Sequence, residues 1–347
     1  MKKREWVQRL LPAVLLLALL LCYPQEMVRG IRSALSLCGT AVIPSLFPFF
    51  VLCTFFVRSG LCDSFGKVSS SVMRRVFRLP GAAAGAVLLG LCGGFPVGTR
   101  MAAQLYKGGS VTEAQAQRLC LFCVAAGPAF VVGTVGAEML RSRTCGWILF
   151  GSLTAANLTV GILLRFIGTA AAPDKKIPPC LPLTQSICEA VSDAGAGMLP
   201  LCAWILLFSG ICAVLERLPQ SIYVPLCCFL EVTNGCRIAA QNGVSLPVIA
   251  AILGFGGLSV HCQILPYITQ CGVKLSHFFT SRFVCGALAA VNCAAILRFF
   301  PQAAQTMLLQ SGRVVEPVRA SVPVSVALLC TAAIFILNTA CVREIKT

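Results

Sequence analysis

Apolar residues fall along this chain in long blocks separated by short polar and basic stretches. About ten blocks can be drawn, at 10–23, 34–57, 82–105, 118–140, 145–168, 196–215, 222–240, 246–270, 280–300 and 321–341. A helix rising ~1.5 Å per residue needs roughly 20 mostly apolar residues to cross a hydrocarbon core about 30 Å thick. The pattern therefore predicts an all-α polytopic membrane protein.

Polar punctuation divides the blocks. "TAAAPDKKIPPCLPLTQ", rich in proline and polar residues, predicts a linker between two halves. In "YKGGSVTEAQAQR" a glycine stop is followed by Thr112 and, three residues on, Gln115, which is a capping-box pattern. Between the second and third blocks, Val68, Val72 and Val76 recur every four residues among Arg74, Arg75 and Arg78, as in a short basic helix lying on a membrane surface.

The halves resemble each other. "GTRMAAQ" at 98–104 and "GCRIAAQ" at 235–241 agree at five of seven places, and their flanks keep the same order: Pro44 with Pro200, Gly127 with Gly256, Gly151 with Gly286, Asn157 with Asn292. The expected organisation is a leading transmembrane helix (1–33), a first repeat (34–168), a linker (169–195), a second repeat (196–300), and a loop with a trailing transmembrane helix (301–347). Each repeat holds about four apolar segments. If one of them dips in and out without crossing, each half crosses three times and the two copies are inverted.

Some blocks are built to break. In hydrocarbon an unpaired backbone group is costly, so irregular backbone persists only where it is buried in protein or lines a watery cavity. Gly93, Gly94, Pro96 and Gly98 in "GGFPVG" predict an unwound middle whose half-helix ends expose peptide dipoles. Arg100 follows, an expensive charge at that depth, and Arg237 stands at the matching place beside Gly235. Where the first copy offers bare backbone, the second offers Glu231, Thr233 and Asn234. Glu231, flanked by apolar residues, calls for a partner, with Arg237 or Arg100 as candidates, or for protonation. Gly127–Pro128, and Gly256 and Gly257 followed by Ser259, His261 and Gln263, predict re-entrant hairpin tips that gate the site. His261 either binds substrate or relays a proton, or else lines a tip or is simply packed.

Composition sharpens this picture. The 347 residues are 57% hydrophobic and 12% charged, with a mean hydropathy of +0.86. The net charge of +16 would suggest nucleic acid in a soluble chain, but the basic residues lie beside apolar blocks and no binding motif interleaves them with aromatics. Nucleic acid is excluded as a partner, and Lys and Arg mark cytoplasmic loops, with the basic N-terminus inside. The 21 cysteines sit mostly in apolar segments, where they pack as small hydrophobes, and neither Cys120–Cys123 nor Cys227–Cys228 has a second pair at zinc spacing. No metal or other cofactor is expected. Hydrolase, zincin and P-loop motifs are absent, and two histidines give little material for a catalytic triad.

The stretches "IPSLFPFF", "GGFPVGTRMAAQLYKGG", "AAGPAFVVGTVG" and "EVTNGCR" resemble the YlbJ family of sporulation integral membrane proteins, over roughly residues 35–300. These are nucleoside-recognition, or Gate, domain proteins, similar to parts of concentrative nucleoside transporters. The resemblance implies a transporter-like protein of a forespore or cytoplasmic membrane, tied to spore maturation through movement of dipicolinate, and it implies the residues around both breaks as the translocation site. The expectation is a carrier or facilitator for a small anion, coupled to H+ or Na+ if to any ion, with Arg100 and Arg237 holding its carboxylates. Homo-oligomers or other sporulation membrane proteins are possible partners. The alternatives are a nucleoside-type transporter and a non-transporting scaffold for cortex or coat maturation.

Overall fold

The computed structural model describes residues 3–167 and 181–299, and these are helical throughout apart from turns and short breaks. The expected trailing helix, the 301–320 loop and most of the proline-rich linker lie outside the described residues.

Helix α1 (Lys3–Cys22) is followed after one residue by α2 (Pro24–Leu37), which runs through a π-turn at Cys38–Val42 into α3 (Ile43–Arg58). The second rod thus starts ten residues before the apolar block suggested. Its polar first turns are held by an inward stripe of Met27, Gly30 and Ala34, spaced one helical face apart. The π-turn precedes Pro44, whose ring would otherwise clash one turn back and which has no N–H to donate. Helix α4 (Leu61–Val72), with one further π-turn to Phe77, meets the Gly81–Gly93 helix at 88°. Its Val68 and Val72 face away from the protein while Cys62, Met73 and Phe77 face in, as a surface-lying helix requires.

Helices α5 (Ala84–Gly93), α6 (Phe95–Lys107) and α7 (Glu113–Phe122) come next, then a π-helical arm (Ala129–Met139) and α8 (Arg143–Leu163). The Thr112 capping box forms as the sequence indicated: Gln115 N donates to Thr112 Oγ1 at 3.3 Å, and Thr112 N to Gln115 Oε1 at 2.9 Å. The second half contains α9 (Leu183–Leu215), α10 (Gln220–Leu230), α11 (Val232–Gln241), α12 (Leu246–Phe255), α13 (Gly257–Gln270) and α14 (Leu275–Phe299). Helix α9 begins well inside the stretch expected to be linker, because Ser186, Ala190 and Ala194 give its polar start a buried face at helical spacing.

Among the described residues, five helices are long and apolar enough to cross a membrane, six if the 88° pair is one span. Large apolar side chains such as Leu21, Trp147, Leu199 and Val291 point outward, as they do where the solvent is acyl chain. Two antiparallel packings organise the bundle. The α2–α3 rod lies against α9, with Arg58 Nε 3.2 Å from Glu189 at one end, and Arg29 paired to Glu216 and Arg217 to Glu26 at the other. Helix α8 lies against α14, where Asn292 Nδ2 donates to Ser152 O at 3.2 Å and Arg282 Nη1 to Asn157 Oδ1 at 3.4 Å.

Candidate functional site

Four interruptions meet in the middle of this bundle. Gly94 adopts φ +97° between α5 and α6, and with Pro96 in the first turn α6 begins without any side-chain cap. Between α10 and α11 the chain is extended at Glu231, whose carboxylate accepts from Thr233 N (3.0 Å) and Asn234 N (2.7 Å). One half leaves its helix N-terminus bare; the other fills it with its own anion. Between α12 and α13, Gly256 and Gly257 both take positive φ, a turn that side chains bearing Cβ rarely adopt.

The tips touch the breaks. A Cβ on Gly127, in the turn before the π-helical arm, would lie 3.0 Å from Gly94 N; one on Gly257 would lie 3.0 Å from Val232 N; one on Gly256 would lie 3.1 Å from the Phe95 ring. Helix α6 packs on α13, and α11 on the π-helical arm. Between them lies a cavity of about 240 Å³. Phe49, Phe95, Phe130 and Leu201 supply its apolar wall, and Ser45, Thr134, Glu231, Thr233 and Gln263 its polar groups.

Of the residues singled out in the sequence, Gly93, Gly94, Pro96, Glu231 and Thr233, together with Gly127 and Gln263, line this cavity. Asn234 and Arg237 do not. They line a larger, more polar recess of about 740 Å³ with Glu138, Arg141 and Ser209, and Leu37, Thr134 and Thr233 border both spaces. Arg237 Nη2 donates to Asn234 Oδ1 at 2.7 Å, and Asn234 Nδ2 to Ser209 Oγ at 3.2 Å.

Arg100 lies in neither space. It is 3% exposed, and its Nη2 donates to Asp193 Oδ2 (2.5 Å) and Asp193 O (2.8 Å) while its guanidinium stacks on Phe50. The expected pair of arginines in one chamber is therefore split: Arg237 lines the larger recess and Arg100 is paired with Asp193. Neither arginine forms a salt bridge with Glu231 among the described residues; backbone N–H groups hold that carboxylate instead. Gly98 and Gly235 serve helix packing: a Cβ would lie 1.9 Å from Cys123 O at the first and 2.6 Å from Cys228 Cα at the second. Pro128 ends the turn that precedes the π-helical arm.

His261 is packed among aromatic rings. Its Nε2 lies 2.9 Å from Phe255 O, and its ring sits edge-on to Phe255, Phe278 and Phe279. Ser259 is buried beside the cavity wall and accepts from Gln263 Nε2 at 3.1 Å.

Two clusters escaped the sequence reading. Asp193 gathers Arg100, Thr54 Oγ1 (2.5 Å) and Gln104 Nε2 (3.0 Å), with Tyr267 OH 3.4 Å from Arg100 Nη1. Its signal was an acid directly before the apolar "AGAGMLPLCAWILL". Arg282, fully buried, donates to Val124 O, to Leu121 O (2.5 Å) and to Asn157, so it closes the C-terminal end of α7. Arg282 is the third residue of the apolar block 280–300, and its charge within that block is the one signal the sequence carries.

Residues 40–170 match the Gate family, described as nucleoside recognition. The chain is 26% identical to the sporulation integral membrane protein YlbJ of Bacillus subtilis (strain 168), an alignment covering 80% of this chain and 79% of that one. No solved structure matches it. With its long apolar helices, the chain is a multi-pass integral membrane protein that carries a Gate domain and is a distant homologue of YlbJ.

Proposed function

We propose that the protein is a carrier for a small anionic metabolite, with dipicolinate as the cargo, working by exchange between two inverted halves. The observation that carries the proposal is that three helix breaks, at Gly94, Gly127 and Glu231, line one cavity within the bundle, while the fourth, Gly256–Gly257, packs directly on Phe95 and Val232. Backbone interrupted in this way inside lipid is tolerated where it serves a site. The matched elements support inversion: α3 and α9 run antiparallel, as do α8 and α14, and the packings exchange, α6 on α13 answering α11 on the arm.

The chemistry supports a planar cargo with acidic groups. Phenyl rings stack on an aromatic face, the start of α6 lines the cavity without a side-chain cap, and Ser45, Thr134, Thr233 and Gln263 orient the cargo. Arg237 and Arg141 in the recess draw anions toward the cavity. Uptake of labelled dipicolinate into proteoliposomes tests the reading: transport by the intact protein and a fall with Arg237→Gln support it, and no uptake above empty vesicles removes it.

A second reading, a nucleoside-type carrier, is favoured by one observation. Among the described residues the cavity is lined by aromatic rings, neutral hydrogen-bonding groups and the Glu231 carboxylate, and by no cation. Excess unlabelled nucleoside abolishing dipicolinate uptake, together with nucleoside uptake in its own right, would select it.

A further inference from the structure

Arg237 lines an open recess, and the matching Arg100 is buried against a half-exposed Asp193. Through the repeated motif, Arg237, Ala240 and Gln241 of the recess correspond to Arg100, Ala103 and Gln104. Counting from Gly127 and Gly256, Glu138 corresponds to Tyr267; counting from Pro44 and Pro200, Leu37 corresponds to Asp193. The recess residues thus have their counterparts in the cluster around Arg100, where Tyr267 and Gln104 both take part. Charge differs at Glu138 against Tyr267, at Arg141 against Gln270 and at Leu37 against Asp193, and of these only the last puts a carboxylate on the closed side. Where the open side has Leu37, the closed side has Asp193, and its carboxylate lies on the arginine.

The Arg100 fork is only half used. Its Nη2 makes both bonds to Asp193, while Nε, buried with the rest of the side chain, has no partner among the described residues. A guanidinium binds a carboxylate best through two parallel N–H groups, and Nε with Nη2 is such an edge. We infer that Arg100 is a latent binding site for a small carboxylate, occupied in this conformer by Asp193 as an internal stand-in. Release of Asp193 opens a second recess beside Arg100 as the recess beside Arg237 closes. The inference rests on the carrier reading and adds to it the group that holds one side shut.

The exchange is read by cysteine labelling in nanodiscs. Ala103→Cys and Ala240→Cys are treated with a water-soluble maleimide, and each site is quantified by peptide mass spectrometry so that the native cysteines need not be removed. In the otherwise unchanged protein Ala240→Cys labels and Ala103→Cys, at a buried position, does not. Asp193→Asn raises labelling at 103 by at least about tenfold and lowers it at 240, because the two states compete for one population.

The transplanted lock gives the reverse test. Leu37→Asp places a carboxylate in the recess that Arg237 lines, and protects Ala240→Cys. It does so whether or not Asp193→Asn folds. Labelling that rises at both sites together, or a position 240 left unprotected by Leu37→Asp, overturns the inference. Dipicolinate uptake is read on the same preparations: reciprocal labelling without uptake sinks the cargo assignment alone, and uptake without reciprocal labelling sinks the lock alone.

Discussion

Gly98 and Cys123 meet backbone to backbone: a Cβ on Gly98 would stand 1.9 Å from the Cys123 carbonyl oxygen and 2.9 Å from its Cβ. Helix α6 therefore leaves the break already pressed against the end of α7, and the cavity wall has no slack there. Small residues at such crossings let helices approach where lipid supplies no hydrophobic drive. Gly98→Ala must push backbone rather than a side-chain tip, and overpacking of that kind costs about 1–3 kcal/mol. A clearly lowered melting temperature in detergent is expected, measured by fluorescence-detected size exclusion after heating. Gly151→Ala, where a Cβ meets nothing within 4 Å, is the control and leaves melting unchanged.

Glu231 has two separable roles. Its carboxylate caps α11 through two backbone N–H groups and also faces the cavity. Glu231→Ala loses the cap, at a cost of about 0.5–2 kcal/mol. Glu231→Gln keeps an acceptor oxygen and removes the charge. The expected outcome is a lowered melting temperature for Ala but not for Gln, with altered dipicolinate uptake in both. Wild-type uptake in Glu231→Gln would leave the residue as a cap only.

The breaks were legible because glycine and proline act locally. "GGFPVG", "AAGP" and "GFGG" interrupt helices by their own stereochemistry, and Gly94 and Gly256 sit in the turns that the sequence implied. Partners were not legible, because which way a cation points depends on how its helix is rotated in the bundle. Arg100 and Asp193 are 93 residues apart, and nothing near either names the other. The start of α9 was hidden for a related reason: Ser186, Ala190 and Ala194 make a buried face from residues that composition scores as polar or neutral. Gly93, Gly94, Pro96 and Gly127 line the cavity as the breaks implied, while Gly98 and Gly235 pack helices instead; of the charged residues, Glu231 lines it and Arg100 and Arg237 do not.

Arg282 holds the turn that carries Gly127. Its guanidinium reaches Leu121 O and Val124 O, carbonyls left open as α7 ends, and it adds a positive charge at the negative end of that helix. Arg282→Met fills much of the volume but leaves both carbonyls unpaired, costing roughly 2–4 kcal/mol. Arg282→Lys recovers only part of this, since one ammonium cannot reproduce a planar fork. The order of melting temperatures is expected to be wild type, then Lys, then Met. Equal melting for all three would mean that water satisfies these carbonyls and that the arginine does not hold the tip.

Ser45 offers the cleanest separation of cavity from fold. It lies on α3 one turn before Phe49, lines the 240 Å³ space, and its hydroxyl donates only to Val42 O one turn back at 3.2 Å, so no other helix depends on it. A tryptophan at this position adds its indole to the wall of the cavity that Ser45 lines, where it competes with cargo for volume. Ser45→Trp is expected to abolish dipicolinate uptake while the melting temperature stays within a few degrees of wild type, because added apolar contact offsets the lost hydroxyl. Ser45→Ala, which keeps the space and removes one polar group, should retain most uptake. The comparison turns on volume rather than chemistry: if Trp transports as well as Ala, cargo does not pass through the chamber between the breaks. A collapse of the fold with Trp but not with Ala would instead mean that the chamber is closed in the membrane-embedded protein, and Gln263→Leu would then test the opposite wall by a change of polarity at nearly constant size.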